Sequence, residues 1–240
     1  MSDFDIAVFC AHPDDAELTC GGTLALEAAR GRRVAMLDLT RGESGSRGTP
    51  ETRAAEAAEA ARILGVQHRE SLGLPDSRLV ATPEMRDVVV AALRRLRPSV
   101  VLLPHWEQRH PDHIATSRLV YDASFVAGLR NYRTDLGAGF RPTKLIYVPS
   151  VTEAVETPPT FVVDVSSTWA VKLRALAAYA SQFQPAAAEA AANPLDGFQA
   201  AAELSARRAG QRIGVKYGEG FVTREPIAVA DLLALGGRSL

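Results

Sequence analysis

The sequence predicts an α/β fold, a three-layer Rossmann-like sandwich on a mostly parallel sheet, and three observations carry that prediction. Short, nearly continuous apolar runs stand at 5–10 (DIAVFC), 33–39 (RVAMLDL) and 99–104 (SVVLLP), the pattern of strands covered on both faces. Helix start and stop signals lie between them. Polar motifs rich in histidine and aspartate follow directly on the first and last of these runs.

Taken in order, the strand at 5–10 leads to a helical stretch over 21–29 that stops at Gly31, glycine being favoured where a helix ends left-handed. After the strand at 33–39, Thr49-Pro50-Glu51 supplies a capping hydroxyl, a proline at the first helical position and an early acid. That helix runs to Leu64 and stops at Gly65. Residues 68–72 make a weaker strand, and Thr82-Pro83-Glu84 repeats the start signal for a helix ending near Arg97-Pro98. The alternation predicts a parallel sheet with helices on both faces. Beyond position 130 the pattern loosens. KLIYVP (144–149) and FVVDV (161–165) read as strands, and Ser166 or Ser167 caps a helix running to about Phe183. The Ala-rich stretch 186–192 reads as a loop or weak helical turn, 196–211 as a helix, and GVKYGEGF (214–221) as a glycine-punctuated strand or turn. No repeat or composition shift divides the chain, so residues 1–240 are expected to form one domain. The expected strand order is 3-2-1-4-5, with the active site at the C-terminal ends of strands 1 and 4.

Composition narrows the function classes. Lys and Arg number 27 against 28 Asp and Glu, so no net field favours nucleic acid or an anionic membrane. The two cysteines, Cys10 and Cys20, are too few to staple a fold of this size and point to a reducing compartment. Asp3 and Asp5 precede the first apolar run, unlike the basic start of a signal peptide, and no apolar stretch approaches the roughly 20 residues of a membrane span. A soluble cytoplasmic protein with a small-molecule substrate is the expectation.

Chemistry concentrates in two clusters. His12-Pro13-Asp14-Asp15, with Glu17, follows the first strand; His105 and Arg109-His110-Pro111-Asp112-His113 follow the strand at 99–104. In the order 3-2-1-4-5 those strands are neighbours, and the crevice outside their carboxyl ends is the usual ligand site. Zinc favours imidazole nitrogen and carboxylate oxygen, and catalytic sites keep three protein ligands and one open position. His12, Asp15 and His113 supply such a set. Asp14 is then placed to take a proton from the attacking water. Asp112 beside His110 is expected to bond one imidazole nitrogen, orient the ring and favour an imidazolium that stabilises an oxyanion or protonates a leaving amine. Taken alone, His-Pro-Asp-Asp is commonly a surface turn whose aspartate caps the next helix, and His-x-x-His in a loop is a weak signal. Their joint appearance after neighbouring strands is the specific one. His68 reads as a strand-end residue without chemistry, His105 as either a group behind the ligands or a plain loop residue, and Glu17 as an acid favoured by the helix dipole.

These residues resemble a known family. A-H-P-D-D-A-E (11–17) with H-P-D-H (110–113) is similar to the LmbE-like (PIG-L) zinc deacetylases. The resemblance implies one Zn2+ per subunit on His12, Asp15 and His113, with Asp14 as general base, His110 as catalytic histidine and Asp112 as its orienting carboxylate. G-T-P-E-T-R-x-x-E-A (48–57), L-P-D (74–76), R-H-P-D-H (109–113), F-V-V-D-V (161–165), A-Y-x-S-Q-F (178–183) and G-V-x-Y-x-E-G-F (214–221) resemble the bacillithiol-biosynthesis branch. That branch implies hydrolysis of N-acetylglucosaminyl-malate to glucosaminyl-malate and acetate, and assembly as a homo-oligomer such as a hexamer. Arg53 and Arg109 match the positions that would read the malate carboxylates by paired hydrogen bonds, although Arg53 alone reads as a solvated charge on a helix face. Arg41, Arg47 and Arg141 are further loop arginines.

The chain departs from the family at Phe198, where close relatives carry a tyrosine that donates to the oxyanion; Tyr179 and Tyr217 are the candidate substitutes. Loss of one such donor costs on the order of a hundred-fold in rate. The rival readings are a deacetylase or amidase for another N-acetylated amino sugar, a chitin oligosaccharide or a thiol S-conjugate. Outside that chemistry stand a metal-stabilised sugar-binding module and a magnesium phosphatase, the last disfavoured because magnesium prefers an all-oxygen shell. Iron, manganese or cobalt also suit such a ligand set.

Overall fold

The computed structural model describes residues 3–152, 157–183, 197–232 and 236. Along the chain lie β1 (Phe4–Cys10), α1 (Asp15–Ala29), β2 (Val34–Asp38), α2 (Pro50–Leu64), β3 (His68–Ser71), α3 (Pro83–Leu96) and β4 (Pro98–Pro104). They are followed by α4 (Pro111–Val126), β5 (Lys144–Val148), β6 (Phe161–Asp164), α5 (Trp169–Ala177), α6 (Ala180–Phe183), α7 (Phe198–Ile213) and β7 (Gly218–Phe221).

The central sheet is parallel and runs β3-β2-β1-β4-β5, as the sequence predicts. β1 lies in the middle, with Ile6 opposite Val34 on one side and Val100 on the other. Successive side chains of a strand point to opposite faces, and both faces of β1 are covered. Ala7 and Phe9 pack with Val89 and Leu93 of α3 and Leu119 of α4. Val8 and Cys10 pack with Leu24 of α1, Leu64 of α2 and Ala175 of α5. Three layers result, which is why the strands read as unbroken apolar runs. β6 and β7 form a separate antiparallel pair, joined to the main sheet by a bridge between Tyr147 and Val222. No helix among the described residues is long and apolar enough to cross a membrane.

The Thr-Pro start signals hold in detail. Thr49 accepts the Thr52 N–H at 3.2 Å and α2 ends on left-handed Gly65 (φ 75°); Thr82 accepts the Met85 N–H at 3.3 Å. Other expectations need correction. α1 begins at Asp15 rather than at 21 and breaks at Cys20 (φ −131°), so the predicted helix is only its second half. The first turn instead carries Asp15 and Glu17, whose charges suit a helix N-terminus. Neither Ser166 nor Ser167 caps α5: that position is Thr168, whose hydroxyl donates to the Gly22 carbonyl at 2.8 Å. The helix does not run unbroken to Phe183 but separates into α5 and α6 around Tyr179, which is drawn into the core. α4 and the β6–β7 pairing are not among the sequence-based expectations. The stretch 186–192 lies outside the described residues.

A buried ionic network supports α1 beneath the catalytic end of the sheet. Arg69 of β3 donates two bonds to Asp38 of β2, at 2.9 and 3.1 Å, and a further one to Glu17 of α1. Glu17 also accepts the Tyr179 hydroxyl at 3.1 Å, so its role is to anchor α1 on the sheet, beyond the dipole effect expected of it. Burial pushes the Asp38 carboxyl up from its ordinary value, and Arg69 opposes that push. Removing a buried partner leaves uncompensated charge and costs roughly 3–5 kcal/mol. Arg69→Met is therefore expected to lower unfolding stability by about that amount in urea titration; a variant as stable as the parent would show that the network is not needed to hold α1.

Candidate metal centre and hydrolytic site

Because β1 and β4 are neighbours, the loops leaving their carboxyl ends meet. His12 follows β1, and His113 lies in the first turn of α4, which follows β4. The turn after β1 is sharp. Asp14 adopts φ 109°, ψ −26°, a region that L-residues rarely occupy and that costs of order 1–3 kcal/mol. Arg53 of α2 holds it there. Its buried guanidinium donates to the Pro13 carbonyl at 2.7 Å, the Gly42 carbonyl at 3.0 Å and the Asp14 carboxylate at 3.1 Å.

The turn sends Asp14 and Asp15 in different directions. Asp15 Oδ2 accepts the His12 backbone N–H at 3.0 Å and lies 3.5 Å from His12 Nδ1 and 3.3 Å from His113 Nε2. His12, Asp15 and His113 thus present ligand atoms within 4.8 Å of one another, a cluster able to hold a divalent metal. Two imidazoles and one carboxylate are a donor set suited to a borderline cation. A second triple, His12, His110 and Asp112, meets the same distance limit, with Asp112 buried and already accepting the Ser77 N–H at 2.7 Å.

The electrostatics divide the two carboxylates. Burial works against the Asp15 charge, but His113 and His12 override it and hold its carboxyl well below the usual range. Asp14 moves the opposite way: burial, then the charge on Asp15, raise its carboxyl well above the ordinary value, and Arg53 offsets only part of this. The two adjacent carboxyls are thus pushed in opposite directions. Burial also disfavours charge on His12, yet the bond and charge of Asp15, with Asp76 and Asp14, push that imidazole up to about 9.

His110 and Asp112 do not interact as expected. Asp112 Oδ2 faces Ser77 N–H and, at 3.4 Å, His12 Nε2. His110 instead caps α4, its Nδ1 accepting the Asp112 backbone N–H at 3.2 Å. Helix formation from Pro111 onward turns that N–H toward the capping ring and carries the Asp112 side chain toward His12. Burial, then the nearby His113 and His12, lower the His110 pKa from its ordinary value. With Nδ1 accepting the Asp112 N–H, a ring proton sits on Nε2, and the downward shift runs against the imidazolium that the sequence suggested.

Asp76 and Gln108 are the site residues that sequence reasoning passed over. Asp76 Oδ1 lies 3.1 Å from His12 Nε2, and Gln108 Oε1 lies 2.7 Å from His113 Nδ1. The only signal for Asp76 was its place in Leu-Pro-Asp after β3, and for Gln108 its place one residue before Arg109.

A cavity of about 330 Å³ opens over these groups, with His12, Asp14, Asp15, His110 and His113 on one side and Leu18, Val148, Phe183 and Phe198 on the other. Arg53 and Arg109 line it, Arg109 being exposed at the rim. Arg141 points away, donating to the Phe125 carbonyl at 2.9 Å. Neither tyrosine replaces Phe198. Tyr179 is fully buried on Glu17, and Tyr217 stacks on Trp169 at 4.5 Å outside the cavity lining. His105 is buried against Trp106 with Nδ1 accepting the Glu107 N–H, a loop role rather than a place behind the ligands.

Comparison with known proteins agrees with this geometry. The family described as PIG-L: GlcNAc-PI de-N-acetylase matches residues 7–124, a span holding both histidine motifs. The chain is 36% identical over 186 residues to the diacetylchitobiose deacetylase of Thermococcus kodakarensis, covering 72% of this chain and 67% of that protein. It is 30% identical over 203 residues to the 1D-myo-inositol 2-acetamido-2-deoxy-alpha-D-glucopyranoside deacetylase of Rhodococcus jostii, covering 70% and 69%. Among solved structures, the conserved protein TT1542 from Thermus thermophilus matches with a TM-score of 0.84 at 41% identity, covering 95% of this chain and 98% of that one. The chain belongs to the PIG-L, GlcNAc-PI de-N-acetylase, family.

Proposed function

We propose that the cavity removes the acetyl group from the amide nitrogen of an N-acetylglucosamine glycoside, with zinc on His12, Asp15 and His113. The chain is a metal-dependent hydrolase of the deacetylase type, and an N-acetylated sugar is the substrate class of its family. One observation supports the finer reading: the two imidazoles and Asp15 converge, while the left-handed turn leaves the carboxyl of Asp14 outside that ligand cluster and on Arg53. Zinc is our choice of metal, since it accepts a mixed nitrogen and oxygen set with an open position.

Held by His12, Asp15 and His113, a divalent metal would polarise the amide carbonyl and acidify a water. Asp14 would take the proton from the attacking water, and the same carboxyl would return it to the departing amine. His110, its Nδ1 taken up in capping α4, offers its Nε2–H to the oxyanion. This assigns to His110 the donation that Phe198 lacks the hydroxyl to make. The apolar wall of Leu18, Val148 and Phe183 keeps water from the amide.

The aglycone is where the branch resemblance and the structure part. Malate needs cationic anchors, and the Arg53 guanidinium is bonded to Pro13, Gly42 and Asp14. Our candidate to meet an anionic aglycone is Arg109, exposed among the residues that line the cavity. N-acetylglucosaminyl-malate is therefore one member of the substrate class to be tested and not its definition.

The deciding experiment is acetate release from N,N′-diacetylchitobiose, N-acetylglucosaminyl-malate and N-acetylglucosamine, before chelation, after it and after zinc is restored. Release that chelation abolishes and zinc restores is expected; no release from any of the three overturns the reading, and a strong preference in kcat/KM for the malate glycoside assigns the aglycone. Asp14→Ala is expected to keep zinc while losing about 10²–10⁴-fold in kcat, with metal content measured on the same sample; a variant turning over at the parent rate removes Asp14 from the proton path. Arg53→Ala is expected to lower kcat by disturbing the Asp14 turn, whereas Arg109→Ala raises KM for an anionic glycoside. Steady-state kinetics on both variants distinguish the positioning arginine from the substrate-facing one.

A further inference from the structure

We infer that Asp76 is a positioning residue for the metal site, its carboxylate holding His12 in the tautomer that turns the Nδ1 lone pair toward Asp15 and His113. The inference rests on the reading of His12 as a metal ligand.

Asp76 lies in the loop after β3, buried at 6% exposure. Both carboxylate oxygens have partners. Oδ1 is 3.1 Å from His12 Nε2, and Oδ2 accepts the Ser44 N–H at 2.8 Å. The loop is itself tied down, since the Asp76 N–H donates to Glu43 at 3.0 Å and the Ser44 hydroxyl donates to the Asp76 carbonyl at 3.2 Å. An ionised carboxylate only accepts, so His12 Nε2 is the nitrogen that carries the proton. Nδ1, 3.5 Å from Asp15 Oδ2, is then the nitrogen left to give up its proton to a bound metal. Asp112 Oδ2 faces the same Nε2–H from 3.4 Å and fixes the same tautomer from longer range.

The other imidazole is turned by different means. His113 Nδ1 lies 2.7 Å from Gln108 Oε1, leaving Nε2 for Asp15. An amide suffices there because one acceptor is needed. At position 76 two N–H groups, from His12 and Ser44, converge on one side chain. An asparagine offers a single oxygen and would set its NH2 against one of them. The carboxylate is required, and it also raises the basicity of the ligand ring.

The test is Asp76→Asn, nearly identical in shape, beside His12→Ala and the parent. Zinc affinity is measured by competition with a chromophoric chelator, and the His12 ring nitrogens are followed by 15N NMR in the zinc-loaded protein. The expected result is zinc bound by Asp76→Asn about 10- to 100-fold more weakly than by the parent, with the His12 Nε2–H signal shifted or lost. An Asp76→Asn protein with unchanged zinc affinity, or with weakened affinity and an unchanged His12 signature, overturns the inference and leaves the ligand assignment standing. Zinc affinity untouched by His12→Ala overturns the ligand assignment, and this inference with it.

Discussion

Asp14 and Asp15 are adjacent in the chain yet turn to different partners, and the left-handed backbone at Asp14 is what separates them. Were Asp14 in ordinary helical geometry, α1 would begin a residue earlier and the two carboxylates would diverge as neighbours on a helix surface. The strained turn instead folds Asp15 back under the His12 backbone N–H and leaves Asp14 on Arg53. Glycine would adopt such a backbone more easily but has no carboxylate to contribute. The cost is offset by the Arg53 guanidinium, which grips the turn from both sides. Arg53 in turn depends on close backbone approach: a Cβ on Gly42 would sit 2.0 Å from Arg53 Nη1. A helix cap at Thr49, an arginine one turn into α2 and a glycine in the loop after β2 therefore all converge on one dihedral angle.

Around that turn the charges are arranged so that a cation is favoured. Asp15, Asp76 and Asp14 surround His12 closely enough to raise its affinity for a proton in spite of burial, and a divalent ion answers the same field. His110 escapes it. Burial first, then its neighbours His113 and His12, hold its pKa below the ordinary value. A neutral ring there still presents an N–H, which is what an oxyanion needs. The layer below follows the same logic with opposite emphasis, since Glu17 and Asp38 share Arg69 and keep α1 seated on β2 and β3.

Much of this was legible in the residues. The parallel strands followed from unbroken apolar runs at β1, β2 and β4, their order from the doubly wound pattern of such sheets, and the helix starts at Thr49 and Thr82 from local capping chemistry that requires no distant partner. What could not be read there depends on contacts distant in sequence. The first half of α1 was hidden because its apolar period begins after Cys20. α4 was hidden because a motif rich in His, Pro and Asp looks like a loop until His110 is recognised as a cap. Arg53 looked like a surface charge because periodicity does not show which loop passes over a helix. Tyr179 looked available to an oxyanion because nothing in the segment 178–183 announces Glu17 as its partner.

The sequence by itself determined the fold class, the meeting of the two histidine motifs and the residue types able to hold a metal, because strand pattern and side-chain chemistry are local properties. Only the tertiary structure decided which atom each residue turns toward the site. The carboxylate of Asp112 faces His12 rather than His110, Asp76 enters from a third loop, and Arg53 serves the protein before any substrate. Those outcomes follow from hydrogen bonds between segments far apart in the chain, and no spacing rule within one motif encodes them.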